Sequence, residues 1–256
     1  MIFTTTMLLK NLISNLKPNL GSIKINGISF DSRTTKKGNL FVSIRGNKLN
    51  GNNYIDHAIS KGAKVIIYSG KIKKNVKSVF IKVKDTRNTL AKLSSKYYKN
   101  KPKNLVAVTG TNGKSSIASL YFQILKSRKF KVASFGTLGI KTNYSSKFSD
   151  NTTLDPISIH KNLLSIKKKK ITNAILEASS HGLKQNRLDG LKFNTAIFTN
   201  LSRDHLDYHK TFKDYFNSKL ILFNKLIKKG GTVIYDNDIY HSKIIKKICK
   251  KKNFKS

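Results

Sequence analysis

One junction constrains this chain more than any other feature. A short apolar run, Leu105–Val108, breaks directly into Thr109-Gly-Thr-Asn-Gly-Lys-Ser-Ser116, and a helical pattern over 115–126 follows at once. A strand that turns through two glycines into a helix opens a crossover unit, and such units build mostly parallel sheets covered on both faces. The alternation continues downstream. Strands are expected over 132–135, 171–177, 196–200 and 232–235, helices over 157–166 and 215–227, and a loop over 144–150. The lysine-rich tail, 243–256, reads as a further helix. Upstream, strands are expected over 40–44, 65–68 and 79–83 and helices over 54–61 and 89–99. The polar stretch Lys-Asn-Lys-Pro-Lys-Asn around Pro102 reads as a linker. The expected organisation is therefore a small α/β domain over 1–100 and a mostly parallel-sheet domain over 101–256.

Composition narrows the class. The chain has 256 residues, 38% of them hydrophobic, enough to bury a core. No run of about 18 apolar residues occurs, so no membrane-spanning helix is expected. The opening MIFTTTMLLK lacks the basic start and small-residue cleavage site of a secretory signal. The single cysteine, Cys249, forms no internal disulfide and no cysteine-based zinc site. A cytoplasmic protein without membrane partners is the expectation. Lys+Arg number 51 against 12 Asp+Glu, a net charge of +39, which raises the alternative of a nucleic-acid binder. Only six of the 51 are arginine, and the lysines are spread along the whole chain, so the charge reads as compositional and no nucleic-acid partner is expected. The field still favours encounter with polyphosphates.

The glycine-rich junction carries the sharpest chemistry. Gly110 and Gly113 permit a tight turn that aims backbone N–H groups at phosphate oxygens, and Thr111, Asn112 and Ser116 belong to the same cradle. The helix start adds its positive end. Lys114 is placed to reach terminal phosphates and Ser115 to offer a hydroxyl to Mg²⁺. The strict G-x-x-x-x-G-K-[ST] pattern is not met, because Val108 stands at its first glycine. Two more strand ends carry chemistry: Glu177-Ala-Ser-Ser-His-Gly182, and Asn200-Leu-Ser-Arg-Asp-His-Leu-Asp-Tyr-His209. Ligands of open parallel sheets sit beyond the carboxyl ends of strands, so Glu177 and His205 are expected beside the loop, as a carboxylate and an imidazole suited to a magnesium–triphosphate.

Taken together, TGTNGKSS (109–116), EASSHGLKQNRL (177–188), TNLSRDHLDYHKTFKDYFNSKLILF (199–223) and the early DSRTTKKGNLFVSIRG (31–46) resemble the Mur ligases, the ATP-dependent amino-acid ligases of peptidoglycan synthesis. The resemblance covers nearly the whole chain and is strongest to the tripeptide-synthetase (MurE) branch. It implies ATP and Mg²⁺ as cofactors, and addition of a diamino acid, diaminopimelate in preference to lysine, to UDP-MurNAc-L-Ala-D-Glu through an acyl phosphate. It implies catalytic roles for Lys114, His205 and Lys219. Metal ligation falls to Ser115, Glu177, His205 and, if carbamylated, Lys219. Phe30, Ser32, Thr152, Thr153, Ser179, Gln185 and Arg187 would hold the UDP-muramyl peptide. The family's Thr-Thr-Pro reads Thr152-Thr153-Leu154 here, and Ser218 stands where alanine usually precedes the modified lysine. The resemblance also implies a monomer whose P-loop central domain is incomplete and whose C-terminal Rossmann-like domain is absent, hence an inactive fragment. Another P-loop kinase or folate-type ligase is the competing reading.

Overall fold

The computed structural model describes residues 6–46, 49–72, 78–149 and 151–256. It divides into two compact units, Met1–Lys99 and Asn100–Ser256.

The first unit begins with β1 (Met7–Leu8), α1 (Leu9–Leu12) and β2 (Lys24–Ile25), β1 and β2 pairing antiparallel. Its main sheet is parallel, in the order β3 (Gly27–Ser29), β4 (Asn39–Val42), β5 (Val65–Tyr68), β6 (Val79–Lys82). Leu40, Phe41 and Val42 are all buried, as a strand covered on both faces requires. The unit also carries the helices α2 (Ile55–Ser60) and α3 (Thr86–Tyr97). The latter starts earlier than its apolar spacing suggests, because the Asp85 carboxylate caps it by accepting from the Asn88 N–H at 3.0 Å.

The second unit supplies β7 (Asn104–Thr109), α4 (Lys114–Ser127), β8 (Val132–Gly136), β9 (Gly139–Thr142), β10 (Ser146–Lys147), α5 (Pro156–Lys168), β11 (Asn173–Glu177), α6 (Ser180–Lys184), β12 (Phe193–Phe198), α7 (Leu206–His209), α8 (Phe212–Ile221), β13 (Ile227–Tyr235) and α9 (Ser242–Lys252). The sheet order is β10-β9-β8-β11-β7-β12-β13. The five strands from β8 to β13 run parallel, and β9 and β10 extend the edge antiparallel. Alternation along the strands feeds two layers. Leu105, Ala107, Ala174 and Leu176 join Ile159 and Leu163 of α5 and Phe216 and Leu220 of α8. Val106, Val108 and Ile175 face the other way, against Ala118 of α4. Because β11 and β12 flank β7, the sheet reverses its winding at β7, and a crevice opens at the carboxyl ends there.

Three sequence expectations are corrected. The helix expected over 215–227 ends at Ile221; a wider π-turn spans Leu222–Leu226, and the sheet captures Ile227, which pairs with Phe193. The strand expected over 232–235 thus starts five residues early. A register shift hides that start, with Gly230 at φ +69° inside it. The loop expected over 144–150 contains β10, paired with Ile140 and Lys141, while Asp150 lies outside the described residues. After α9 the chain returns to the sheet edge, where Val233 N–H donates to the Lys255 carbonyl at 2.7 Å.

Candidate functional site

At the end of β7 the chain turns through Gly110, at φ +148°, where a Cβ would stand 1.9 Å from the Thr199 hydroxyl. Only glycine allows the β12 end to close on this loop. Gly113, at φ +81°, leads into α4 without a side-chain cap, which leaves the first N–H groups of a 14-residue helix to an external anion. Thr111 and Asn112 are pinned from the β12 side: Thr111 N–H donates to the Asn200 carbonyl at 3.0 Å and Asn112 N–H to Asn200 Oδ1 at 2.9 Å.

Glu177 ends the neighbouring strand β11 and is 2% exposed. Its carboxylate accepts from the Ser115 hydroxyl at 2.9 Å, from Thr137 N–H at 3.1 Å and from the Thr137 hydroxyl at 3.2 Å. Gly136 makes room for it, since a Cβ there would lie 1.9 Å from Oε1. Among the described residues no Lys, Arg or His nitrogen pairs with this carboxylate within 4 Å. A buried anion so placed is costly unless a cation joins it.

Two lysines converge on one carbonyl. Lys114 Nζ donates to Gly110 O at 3.0 Å and Thr111 O at 2.6 Å, and Lys219 Nζ donates to Gly110 O at 2.6 Å. Lys219 is 1% exposed and sits 4.2 Å over the Tyr215 ring. Burial first, then the Lys114 charge, push Lys219 down to about 7, with Asp204 opposing. Burial also lowers Lys114, against the pull of Glu177 and Asp204. His205 reaches the site from the β12 end on a left-handed backbone, φ 53°, held by its N–H donating to Asp204 Oδ1 at 2.8 Å. The His205 and His181 rings pack edge to face at 4.9 Å.

These groups share a polar cavity of about 260 Å³, lined by the loop from Thr111 to Ser116 and by Thr152, Glu177, Ser179, His205 and Lys219. Gly110 lies behind it as the shared acceptor. Thr153, Gln185 and Arg187 form a supporting network. The Thr153 hydroxyl donates to Glu177 O at 2.8 Å and lies 3.0 Å from Ser179 Oγ. Arg187 donates to Thr153 O at 2.6 Å and to Gln185 Oε1 at 2.9 Å. Phe30 and Ser32 line a different pocket, within the first unit, of about 630 Å³.

The donor set fits a divalent ion. Among the described residues no three His, Cys, Asp or Glu side chains gather as a metal cluster. Glu177, the Ser115 hydroxyl and His205 would leave several positions to phosphate oxygens and water, which is how magnesium prefers to bind.

Thr137, Ser180 and Tyr215 also line the cavity and were not singled out by the sequence. Tyr215 donates to the Thr111 hydroxyl at 3.1 Å, and burial raises its pKa. Its signal was present in Tyr215-x-x-Ser-Lys219, one helical turn before the lysine. Thr137 follows a strand of ordinary composition and has no motif.

Comparison with known proteins identifies the family. The Mur ligase middle domain matches residues 108–256, and the Mur ligase family catalytic domain matches residues 24–98. The UDP-N-acetylmuramoyl-L-alanyl-D-glutamate–2,6-diaminopimelate ligase of Rhizobium meliloti (strain 1021) is 41% identical over 235 residues, 91% of this chain and 48% of the relative. The ligase of the same name from Clostridium tetani (strain Massachusetts / E88) is 40% identical over 255 residues, 96% of this chain and 52% of the relative. A solved diaminopimelate ligase of that name superposes with a TM-score of 0.83 at 28% identity, over 96% of this chain and 50% of that one. A MurF ligase from Thermotoga maritima, solved in complex with ADP, has a TM-score of 0.59 at 20% identity, over 89% of this chain and 48% of that one, and shares the fold. The chain spans about half the length of the curated relatives it matches. With a middle-domain match across more than half of its residues, the chain belongs to the Mur ligase family.

Proposed function

We propose that this chain carries the nucleotide and muramyl-peptide sites of a MurE-type ligase, one that joins diaminopimelate to UDP-MurNAc-L-Ala-D-Glu at the expense of ATP. The observation that carries the reading is the hydrogen bond from Ser115 to buried Glu177, which ties the phosphate loop to an acidic strand end inside one cavity. The diaminopimelate assignment is supported by the names of the relatives.

In this reading the loop N–H groups and Lys114 hold the β- and γ-phosphates, and Lys114 leaves its own loop carbonyls to do so. Magnesium, held by Ser115, Glu177 and His205, would offset phosphate charge. The D-Glu carboxylate of the substrate attacks the γ-phosphorus, ADP leaves, and the amine then displaces phosphate from the acyl phosphate. The protein's part is positioning and electrostatics. Thr152, Thr153, Ser179, Gln185 and Arg187 hold the peptide end, and Phe30 and Ser32 the uridine-diphosphate end. With its pKa pushed down to about 7, Lys219 keeps about half of its amine unprotonated at pH 7, so it is set to add CO₂ as a carbamate, losing a proton, and become an anion near the ion site.

Ligation is proposed to need sequence that the relatives carry beyond the matched half. The 256 residues alone are expected to bind UDP-MurNAc-L-Ala-D-Glu and ATP without forming amide. Equilibrium dialysis with each ligand, alongside a product assay with diaminopimelate, tests both parts. Absence of binding by both ligands would sink the site assignment. Amide product would sink the requirement for further sequence.

A further inference from the structure

The parallel sheet of the second unit keeps nearly all of its described carboxylates at one edge, although lysines and arginines stand at both. Glu177 ends β11, Asp204, Asp207, Asp214, Asp236 and Asp238 follow the carboxyl ends of strands, and Asp155 caps the start of α5. The opposite edge, where β8, β11, β7, β12 and β13 begin, is reached through basic segments. They are Lys101-Pro-Lys103 before β7, Arg128-Lys-Phe-Lys131 before β8, Lys167 to Lys170 before β11, Lys192 before β12, and Lys225 to Lys229 around the start of β13. The one carboxylate in those connections, Asp189, is 7% exposed.

These segments adjoin one another. Asn173 N–H donates to Lys131 O at 3.3 Å, Lys192 Nζ to Lys225 O at 2.7 Å, and Lys228 Nζ to Asn194 Oδ1 at 3.1 Å. Strands lie about 4.8 Å apart, so five strand starts make a row of roughly 19 Å. Lys103, Lys131, Lys192, Lys225 and Lys229 are exposed along it. Helix-end chemistry accounts for part of the charge. Arg128, Lys129 and the lysines after α5 complement helix carboxyl termini, and Lys129 and Lys170 take the left-handed cap conformation. It also covers Lys225, in the last turn before β13, and Lys192, which donates to its carbonyl, but not Lys103, Lys131 and Lys229, which precede or begin strands.

One apolar side chain stands in this row. Phe130 is 52% exposed between Lys129 and Lys131. A lone aromatic amid lysines suits an interface of charged headgroups over hydrocarbon. Nucleic-acid recognition would call for arginine forks or several stacking rings, and the row has neither.

We propose that this amino-terminal sheet edge docks on an anionic lipid surface, with Phe130 entering the headgroup layer and the nucleotide cavity, at the opposite edge of the same sheet, facing water. No helix of the described residues is long and apolar enough to cross a membrane, and the attachment proposed is a peripheral one. It stands independently of the ligase reading.

The test uses vesicles of phosphatidylcholine alone and with about a third phosphatidylglycerol, at salt from about 0.05 to 0.5 M, a range that shortens the screening length severalfold. The wild-type chain should sediment only with the anionic vesicles, and less as salt rises. A variant with Lys103→Glu, Lys131→Glu, Lys225→Glu and Lys229→Glu should bind at least about tenfold more weakly, since each lysine near such a surface adds to the attraction. A control of equal net charge, with Lys24→Glu, Lys61→Glu, Lys64→Glu and Lys92→Glu in the first unit, should stay within about twofold. The chain has no tryptophan, so Phe130→Trp gives a single reporter that does not depend on the charge variants folding. Its emission should shift to the blue on anionic vesicles, whereas that of Tyr240→Trp should not. Equal losses in the two charge variants, or equal shifts at the two reporters, would overturn the proposal. So would tighter, edge-dependent binding of a homopolymeric RNA at matched phosphate concentration.

Discussion

Two pockets among the described residues are built on opposite principles. The cavity of the second unit is small and polar, and its walls are charges held by short hydrogen bonds: two ammonium groups on the Gly110 carbonyl and a buried carboxylate fixed by Ser115 and Thr137. The pocket of the first unit is more than twice as large. Phe30, Phe41, Ile44, Leu49 and Tyr54 line it, with Arg33, Arg87 and His57 among them. The first arrangement stabilises concentrated negative charge, whereas the second offers flat apolar area with a few polar handles, which suits a planar ring. Both open from parallel sheets, so the fold alone does not decide what each binds. The residues at the strand ends do.

Mutations should separate the two sites. The largest effect is expected from Lys114→Ala, which removes a charge-assisted contact to phosphate worth about 2–3 kcal/mol, or roughly a hundredfold in ATP affinity. Calorimetric titration with ATP and with a uridine diphosphate sugar checks this, and the second ligand should be unaffected. Phe30→Ala should do the reverse, weakening the uridine ligand by about fivefold for a lost stacking contact of about 1 kcal/mol and leaving ATP binding alone. If either variant damages both ligands equally, the division between the pockets fails. Thr137→Val removes one donor from Glu177 and is expected to cost a few-fold in magnesium-dependent ATP affinity, a neutral hydrogen bond contributing about 1 kcal/mol.

A separate expectation concerns stability against pH. Burial holds Lys219 at about 7, below its ordinary 10.5. The protonated amine is therefore disfavoured in the folded state. The penalty is complete below about pH 7 and fades as pH rises from there to about 10.5. Urea denaturation should find a rise in stability across that window which Lys219→Met abolishes. An unchanged profile would mean that the buried amine does not titrate as proposed.

Much of the second unit was legible in the sequence because its signals are local. A strand, two glycines and a helix start are contiguous, and Glu177, His205 and Lys219 sit inside long motifs. What was hidden depends on three-dimensional company. Thr137 matters because β8 lies beside β11 and Gly136 has no side chain to obstruct Glu177. The two-residue strands β1, β2 and β10 are too short to leave a periodic trace. The start of β13 was masked by glycines that read as a turn, and the end of α8 by apolar residues that satisfy helix and core alike. The confinement of carboxylates to one sheet edge was invisible in a composition that is basic throughout. It becomes apparent only once topology assigns each segment to an edge.

The central claim is that the phosphate loop and the β11 carboxylate act on one metal–nucleotide complex. A double-mutant cycle with Ser115→Ala and Glu177→Gln, read as ATP affinity in the presence of Mg²⁺, tests it most directly. The account predicts that each single variant weakens binding about tenfold or more and that the double variant loses much less than the product of the two, because both act through the same ion. Fully multiplicative losses, or no dependence on Mg²⁺ in the wild-type chain, would contradict it.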